Sequence, residues 1–313
     1  MRLAVLGAGA VGRSVLDLAD EHGHTVTAVA DSGSAVVDAT GVDAEAVLAR
    51  KREDGVVGDA DPSRALAADY DVLVEATPTT LGDAEPGFGH VRGALADDRH
   101  VVLANKGPVA ERYDDVRALA EESAGDLRFE ATVGGAIPAL ATIEGVGPGR
   151  VNAARGVLNG TANFVLSRMA AEGLTYEHVL AEAQDLGVAE ADPSFDVDGT
   201  DAALKCAILA NVIHGGGYSL ADVEVDGITA IPPSALDLAA AEGRTVRLVG
   251  EVTDSGVRVG PRLVPEHGTL AVTGTTNLVQ LDTEHAGRLN LSGQGAGGTA
   301  TASAVLADVD RLA

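Results

Sequence analysis

The sequence predicts an α/β protein in two domains: a doubly wound, parallel-sheet domain, then an α+β domain with a mixed sheet. Three observations predict it. Residues 1–133 alternate short Val- and Leu-rich runs with amphipathic stretches, the pattern of a parallel sheet covered by helices on both faces. From Val151 the pattern changes to a strand, three helices and two hairpin-like pairs. A final alanine-rich stretch, Thr299–Arg311, is helical again. The expected domains are residues 1–133 with 292–313, and residues 134–291.

In the first domain, strands are expected at Leu3–Leu6, Thr25–Ala30, Asp71–Glu75, Val101–Ala104 and Leu127–Glu130, where β-branched and aliphatic residues run together. Helices are expected between them at 10–22, 43–52, 87–97 and 109–122. In the second domain, strand Val151–Leu158 leads to helices near 161–172, 175–186 and 200–214. The hairpin pairs are Thr245–Thr253 with Val257–Val264 and Asn277–Thr283 with Gly287–Leu291.

Gly7, Gly9 and Gly12, with Ala10 and Val11 between the last two, follow the first strand directly and open the first helix. That strand–turn–helix setting makes the loop a Rossmann-type dinucleotide site. The glycines allow a tight turn, close backbone approach to a pyrophosphate, and close helix–strand packing. Asp31 ends the second strand, where an acid can hold ribose hydroxyls and favour NAD. Ser32, Ser34, Arg50 and Lys51 offer contrary contacts for a 2′-phosphate. Thr77 and Asn105 follow later strands and face the same crevice at the sheet's carboxyl edge.

The chain has three lysines, Lys51, Lys106 and Lys205, in 313 residues. Lys106 lies in Asn105-Lys-Gly-Pro108, and Lys205 closes the acidic run from Glu190. A chain that otherwise uses arginine needs a primary ammonium at such places, because the arginine pKa is too high for proton transfer near neutrality. Thr200 or Asp201 is expected to cap the helix that carries Lys205, with Asp201 and Lys205 at i and i+4 on one face. Carboxylates beside a positioned lysine suit a substrate that bears an ammonium group and a reducible carbonyl. The acids hold the ammonium and the lysine protonates the nascent alkoxide.

Composition narrows the class. The net charge of −25 disfavours nucleic acid and anionic membranes as partners. Dispersed acids, few lysines and few aromatics predict a halophile's protein, in which salt screens self-repulsion. There is no membrane-length apolar run and no signal-peptide pattern. The single cysteine, Cys206, allows no internal disulfide. A cytoplasmic location is expected.

The run Ala183–Lys205 closely resembles the signature of homoserine dehydrogenases. The glycine loop, Ala104–Pro108, Phe129–Pro138, Gly156–Phe164 and Gly293–Asp308 resemble further blocks of that family, in family order along the whole chain. The resemblance implies reversible, NAD- or NADP-dependent interconversion of L-aspartate 4-semialdehyde and L-homoserine, with a mild lean to NADP. It implies acid–base work by Lys205 with Lys106, Asp201 orienting Lys205, and the substrate amine held by Glu190 and Asp196. Asn159, Gly160 and Thr161 would line the substrate site. Glu130, with the carbonyls of Val133, Gly135 and Ile137, resembles the family's sodium site, which would brace the join between domains.

A homodimer through the second domain's sheet is also implied. Many relatives have tyrosine where Val188 stands, so one substrate contact is absent or supplied differently. No appended regulatory domain and no preceding kinase are expected. Two other readings stay open: a different two-domain nicotinamide dehydrogenase acting on an amino acid or semialdehyde, and a dinucleotide-binding sensor without catalysis. An aspartate-semialdehyde dehydrogenase needs a catalytic cysteine, and the setting of Cys206 does not suit one.

Overall fold

The computed structural model describes residues 1–312. It divides into two compact units, Met1–Ala136 with the segment from Ala296 onward, and Ile137–Gly295. Both boundaries fall a few residues later than the sequence reading put them.

The first unit runs β1 (Arg2–Leu6), α1 (Ala10–Leu18), β2 (Thr25–Ala30), β3 (Ala35–Val37), α2 (Ala44–Glu53), α3 (Ser63–Leu66), β4 (Val72–Glu75), α4 (Gly87–Ala96), β5 (His100–Leu103), α5 (Gly107–Glu111), α6 (Tyr113–Glu122) and β6 (Leu127–Arg128). The sheet order is β3-β2-β1-β4-β5-β6. The order reverses between β1 and β4, and in such sheets the ligand crevice opens outside the strand ends at that point. Leu3, Val5, Val72, Val74 and Val102 are fully buried, as strands covered on both faces require.

The sheet is parallel as expected apart from β3, a short edge strand that pairs antiparallel with β2. One expectation is corrected. The helix expected over 109–122 is two helices, broken at Arg112 (φ −130°, ψ 32°).

The second unit runs α7 (Ala139–Val146), β7 (Val151–Val157), α8 (Gly160–Glu172), α9 (Tyr176–Asp185), α10 (Ser194–Val197), α11 (Thr200–His214), β8 (Val223–Val225), α12 (Pro233–Ala241), β9 (Arg244–Thr253), β10 (Gly256–Pro265), β11 (Thr276–Thr283) and β12 (Arg288–Gln294). Its sheet, ordered β12-β11-β7-β9-β10-β8, is mixed: β8 and β10 run parallel and the other neighbours antiparallel. Helix α11 is buried all round from Asp201 to Asn211, which suits its apolar, alanine-rich sequence. It lies hard against β9: a Cβ at Gly250 would sit 2.3 Å from Cys206 Sγ. Burial pushes the Cys206 thiol up to about 12, so it packs as a small hydrophobe and is not a nucleophile at neutral pH.

The chain returns to the first unit in α13 (Gly298–Asp310). Ala302, Val305, Leu306 and Val309 of this helix join the core around Leu3, Val5 and Val15. No helix among the described residues is long and apolar enough to cross a membrane.

Candidate active site

In the first unit the glycine loop is built as the sequence suggests. Gly7 has φ +100°, and a Cβ there would sit 2.3 Å from the Ala76 carbonyl oxygen. A Cβ at Gly12 would sit 1.8 Å from the Gly7 carbonyl oxygen, so only glycine lets α1 start this close to β1. A Cβ at Gly9 would meet nothing within 4 Å. Gly9 thus faces open space, the side from which a pyrophosphate reaches the first amides of α1 at Ala10 and Val11. This loop fits a dinucleotide.

Asp31 follows β2 with both carboxylate oxygens engaged. Its Oδ1 accepts from the Gly33 and Ser34 amides at 2.9 and 2.7 Å and from the Ser34 hydroxyl at 3.0 Å. Its Oδ2 accepts from Lys51 Nζ at 2.6 Å. Burial pushes this carboxyl up, but Lys51 and the turn donors outweigh burial and hold it below the usual range. Ser34 is buried and also accepts from the Val57 amide, and Arg50 pairs with Asp59. Of the phosphate contacts weighed from sequence, these two are therefore already occupied.

Thr77 and Asn105 meet at Glu75, a fully buried carboxylate that sequence reading passed over as strand interior. Glu75 Oε1 accepts from the Thr77 amide at 3.0 Å, the Thr77 hydroxyl, and Asn105 Nδ2 at 3.3 Å; Oε2 bonds His90 Nδ1 at 2.7 Å. Asn105 Nδ2 also donates to Thr77 Oγ1 at 3.1 Å, and Asn105 Oδ1 accepts from the Gly107 amide at 2.9 Å. An acid in the otherwise aliphatic run Val-Leu-Val-Glu was the available signal. Lys106 heads α5, half-buried, with its amide donating to Thr79 Oγ1 at 3.3 Å.

In the second unit Lys205 is 5% exposed. Its Nζ donates to Asp201 Oδ2 at 2.7 Å and to the Leu158 carbonyl at 2.6 Å. Asn159 caps α8 by accepting from the Ala162 amide at 2.8 Å. Its Nδ2 reaches Asp196 at 2.6 Å and Asp201 at 3.0 Å. Gly160 starts α8 against the Thr275 carbonyl, where a Cβ would come within 3.0 Å. Thr161 donates to the Val188 carbonyl at 3.1 Å.

The structure thus joins Asn159, Asp196, Asp201 and Lys205 in one network, with Thr161 on the same helix start. Neither Thr200 nor Asp201 caps α11: Gly199 holds the N-cap position with φ +89°, and Asp201 turns inward to Lys205 and Asn159. Glu190 lies outside the network with an exposed side chain, and its carbonyl accepts from Gln184 at 3.1 Å. Asn277, which the sequence did not single out, is buried and donates to the Leu158 carbonyl at 2.9 Å.

At the expected cation position, Glu130 is buried and faces Arg311 at 3.8 Å, while its amide donates to Asp308 at 2.8 Å. Val133 is buried, and Gly135 is left-handed at φ +58°. Ile137 opens the second unit. Among the described residues no cluster of three or more His, Cys, Asp or Glu side chains could hold a metal ion.

A glycine loop at the switch point of a doubly wound sheet, and a buried lysine–carboxylate pair in an α+β unit, define a nicotinamide-dependent oxidoreductase. Known proteins narrow the class. The homoserine dehydrogenase profile matches residues 138–309, and that of glutamate, leucine, phenylalanine and valine dehydrogenases matches residues 1–80. The homoserine dehydrogenase of Methanocaldococcus jannaschii is 36% identical over 99% of this chain and 97% of its own length. That of Bacillus subtilis is 36% identical over 99% of this chain and 72% of its own.

The crystal structure of a putative homoserine dehydrogenase from Archaeoglobus fulgidus superposes with TM-score 0.93 at 41% identity, covering 100% of this chain and 99% of that one. A hyperthermophilic archaeal homoserine dehydrogenase in complex with NADPH superposes with TM-score 0.86 at 27% identity, covering 99% and 97%. The chain belongs to the homoserine dehydrogenase family.

Proposed function

We propose that this chain interconverts L-homoserine and L-aspartate 4-semialdehyde, and that Lys205 is the proton-transferring group. The observation that carries the assignment is the buried Asp201–Lys205 pair. A lysine withdrawn from solvent has no solubilising role, and its three N–H donors are held in a fixed direction. Two go to Asp201 and the Leu158 carbonyl, which leaves the third for a substrate oxygen. A bound nicotinamide supplies or accepts the hydride at the carbonyl carbon. Lys205 gives the proton to the oxygen in reduction and takes it back in oxidation. Asp196 and Glu190 hold the substrate ammonium, and Asn159 fixes Asp196 and Asp201 relative to one another. Lys106 of the first unit is the second candidate for proton transfer.

The cofactor reading is dual use with a lean to NADP, supported by the NADPH complex of the archaeal relative and by Lys51 beside Asp31. Sodium at Glu130 and the carbonyls of Val133, Gly135 and Ile137 would be a bracing ion, and it carries no chemical step. A homodimer is part of the same reading; a monomer's mass by light scattering at micromolar concentration overturns it.

The test of the activity is oxidation of L-homoserine by the purified chain, followed at the nicotinamide absorbance. It is run in about molar salt because self-repulsion of the −25 charge needs screening. Turnover with homoserine but not with other amino alcohols supports the assignment. Binding of the dinucleotide without turnover overturns it in favour of a sensor.

A further inference from the structure

Thr77 and Asn105 stand at the carboxyl edge of the sheet, where a dinucleotide would lie, yet the Thr77 hydroxyl and the Asn105 amide both bond within the protein. The Thr77 hydroxyl donates to Glu75 and accepts from Asn105. Asn105 Nδ2 turns one hydrogen to Glu75 and Thr77 together, whose oxygens are in contact, and its oxygen accepts from Gly107. By donor inventory, the Thr77 hydroxyl has no hydrogen left to give a ligand.

What these bonds fix is backbone. The Thr77 amide, tied to Glu75, belongs to the peptide on which Gly7 rests: a Cβ at Gly7 would lie 2.3 Å from the Ala76 oxygen and 2.7 Å from the Thr77 nitrogen. Asn105 is wedged from the other side, since a Cβ at Gly87 would lie 2.5 Å from its Nδ2. His90 Nδ1 on α4 closes the set at Glu75 Oε2. A fully buried carboxylate is costly unless every lone pair finds a donor, and here donors from β4's own exit, the loop after β5, and α4 all converge on it.

We propose that Glu75 is a positioning residue for the dinucleotide. It locks the Ala76–Thr77 peptide against Gly7 and sets Asn105 beneath the start of α5. The glycine loop and the loop carrying Lys106 then present a single crevice geometry. The proposal rests on the dehydrogenase reading of the site. It predicts that Thr77 matters through Glu75 and not through a contact of its own.

The experiment is a double-mutant cycle on NADPH affinity, read by nucleotide fluorescence, with wild type, Glu75→Gln, Thr77→Val and the double variant. Each single change weakens binding about tenfold, the scale of one net hydrogen bond. The double variant binds no more weakly than Glu75→Gln, because the two act as one unit. In parallel, KM for the cofactor rises by a larger factor than kcat at saturating cofactor falls, and KM for homoserine changes least. Losses that multiply, or a Glu75→Gln affinity within about twofold of wild type, overturn the proposal. If Glu75→Gln does not fold, the cycle of Thr77→Val with Asn105→Ala decides by the same rule. Wild type that binds NADPH and oxidises homoserine keeps the dehydrogenase reading intact whichever way the cycle falls. Wild type that does neither overturns both.

Discussion

Asn277 and Lys205 donate to the same acceptor, the Leu158 carbonyl, at 2.9 and 2.6 Å. With Asp201 at 2.7 Å, the ammonium is held from two directions by groups on β7's exit and on its own helix. The carbonyl is itself held from the far side by β11. Lysine is a flexible four-carbon stem, so this restraint is what turns it from a point charge into an aimed donor.

Removing the lysine therefore has two separable consequences. Lys205→Ala should lose roughly 10²–10⁴-fold in kcat, the scale of one acid–base group, with dinucleotide affinity kept. It should also destabilise the fold by about 3–5 kcal/mol, because the buried Asp201 carboxylate loses its bond to the Lys205 ammonium. The double variant Asp201→Asn/Lys205→Met should recover most of that stability and none of the activity, by thermal melting and initial rates side by side. Near-normal turnover in Lys205→Ala removes the lysine from the mechanism. Lys106→Ala then shows whether the first unit carries the proton instead.

Asp201 and Lys205 were legible because i, i+4 spacing on a helix puts two residues on one face without knowledge of the fold, whereas Asp196 was legible only through the family signature. Glu75 and Asn277 were not legible. Their roles come from contacts between segments about 30 residues apart (Glu75 with Asn105) and 119 apart (Asn277 with Leu158), which periodicity cannot see. The same limit explains the missed elements. β3, β8, α3 and α10 are three- or four-residue pieces too short to show a period. α7 and α12 are full helices that open after Pro138 and at Pro233, and the sequence suggested no element at either place. The parallel sheet, by contrast, was legible from its unbroken apolar runs.

Glu190 tests how far the signature reaches beyond what is packed. Its side chain is exposed. If it meets the substrate ammonium, Glu190→Gln should raise KM for homoserine by roughly 10–150-fold, the scale of a hydrogen bond to a charged group, with kcat little changed. Unchanged steady-state constants would assign Glu190 to the solvated face.

Acid should unfold the second unit through its sheet. Burial pushes the Glu251 carboxyl up, but Arg258 at 2.7 Å and Arg262 at 3.0 Å outweigh it and hold it below the ordinary value. Arg288, and behind it Arg155, hold Asp282 down in the same way. Folded pKa values depressed below the unfolded ones, about 3.9–4.3, give stability that is present above that range. It is lost as pH falls through the folded values. The melting temperature should stay level from pH 7 to about 5 on account of these groups and drop below about 4. Glu251→Gln should cost about 1–3 kcal/mol at pH 7 and flatten the acid limb. An acid limb identical to wild type would show that Glu251 does not drive it.

Lys51 is the residue at which the choice between the two cofactors can be tested. Its Nζ sits 2.6 Å from Asp31 Oδ2 and 2.7 Å from the Gly55 carbonyl, at the point where β2 meets the adenosine ribose in this fold. A bare aspartate there accepts two ribose hydroxyls and repels a 2′-phosphate. With Lys51 against it the pair is neutral, and the ammonium can turn to a phosphate while the Gly33 and Ser34 amides keep Asp31 in place. Lys51→Ala should therefore lower kcat/KM for NADP by more than about tenfold, one lost charge-assisted bond plus an exposed like charge, and leave NAD unchanged or improved. Paired measurements with both cofactors in wild type and variant read this directly. If wild type prefers NAD more than about tenfold and Lys51→Ala alters neither cofactor, then Asp31 alone sets the choice, and the pair is only a brace for the turn.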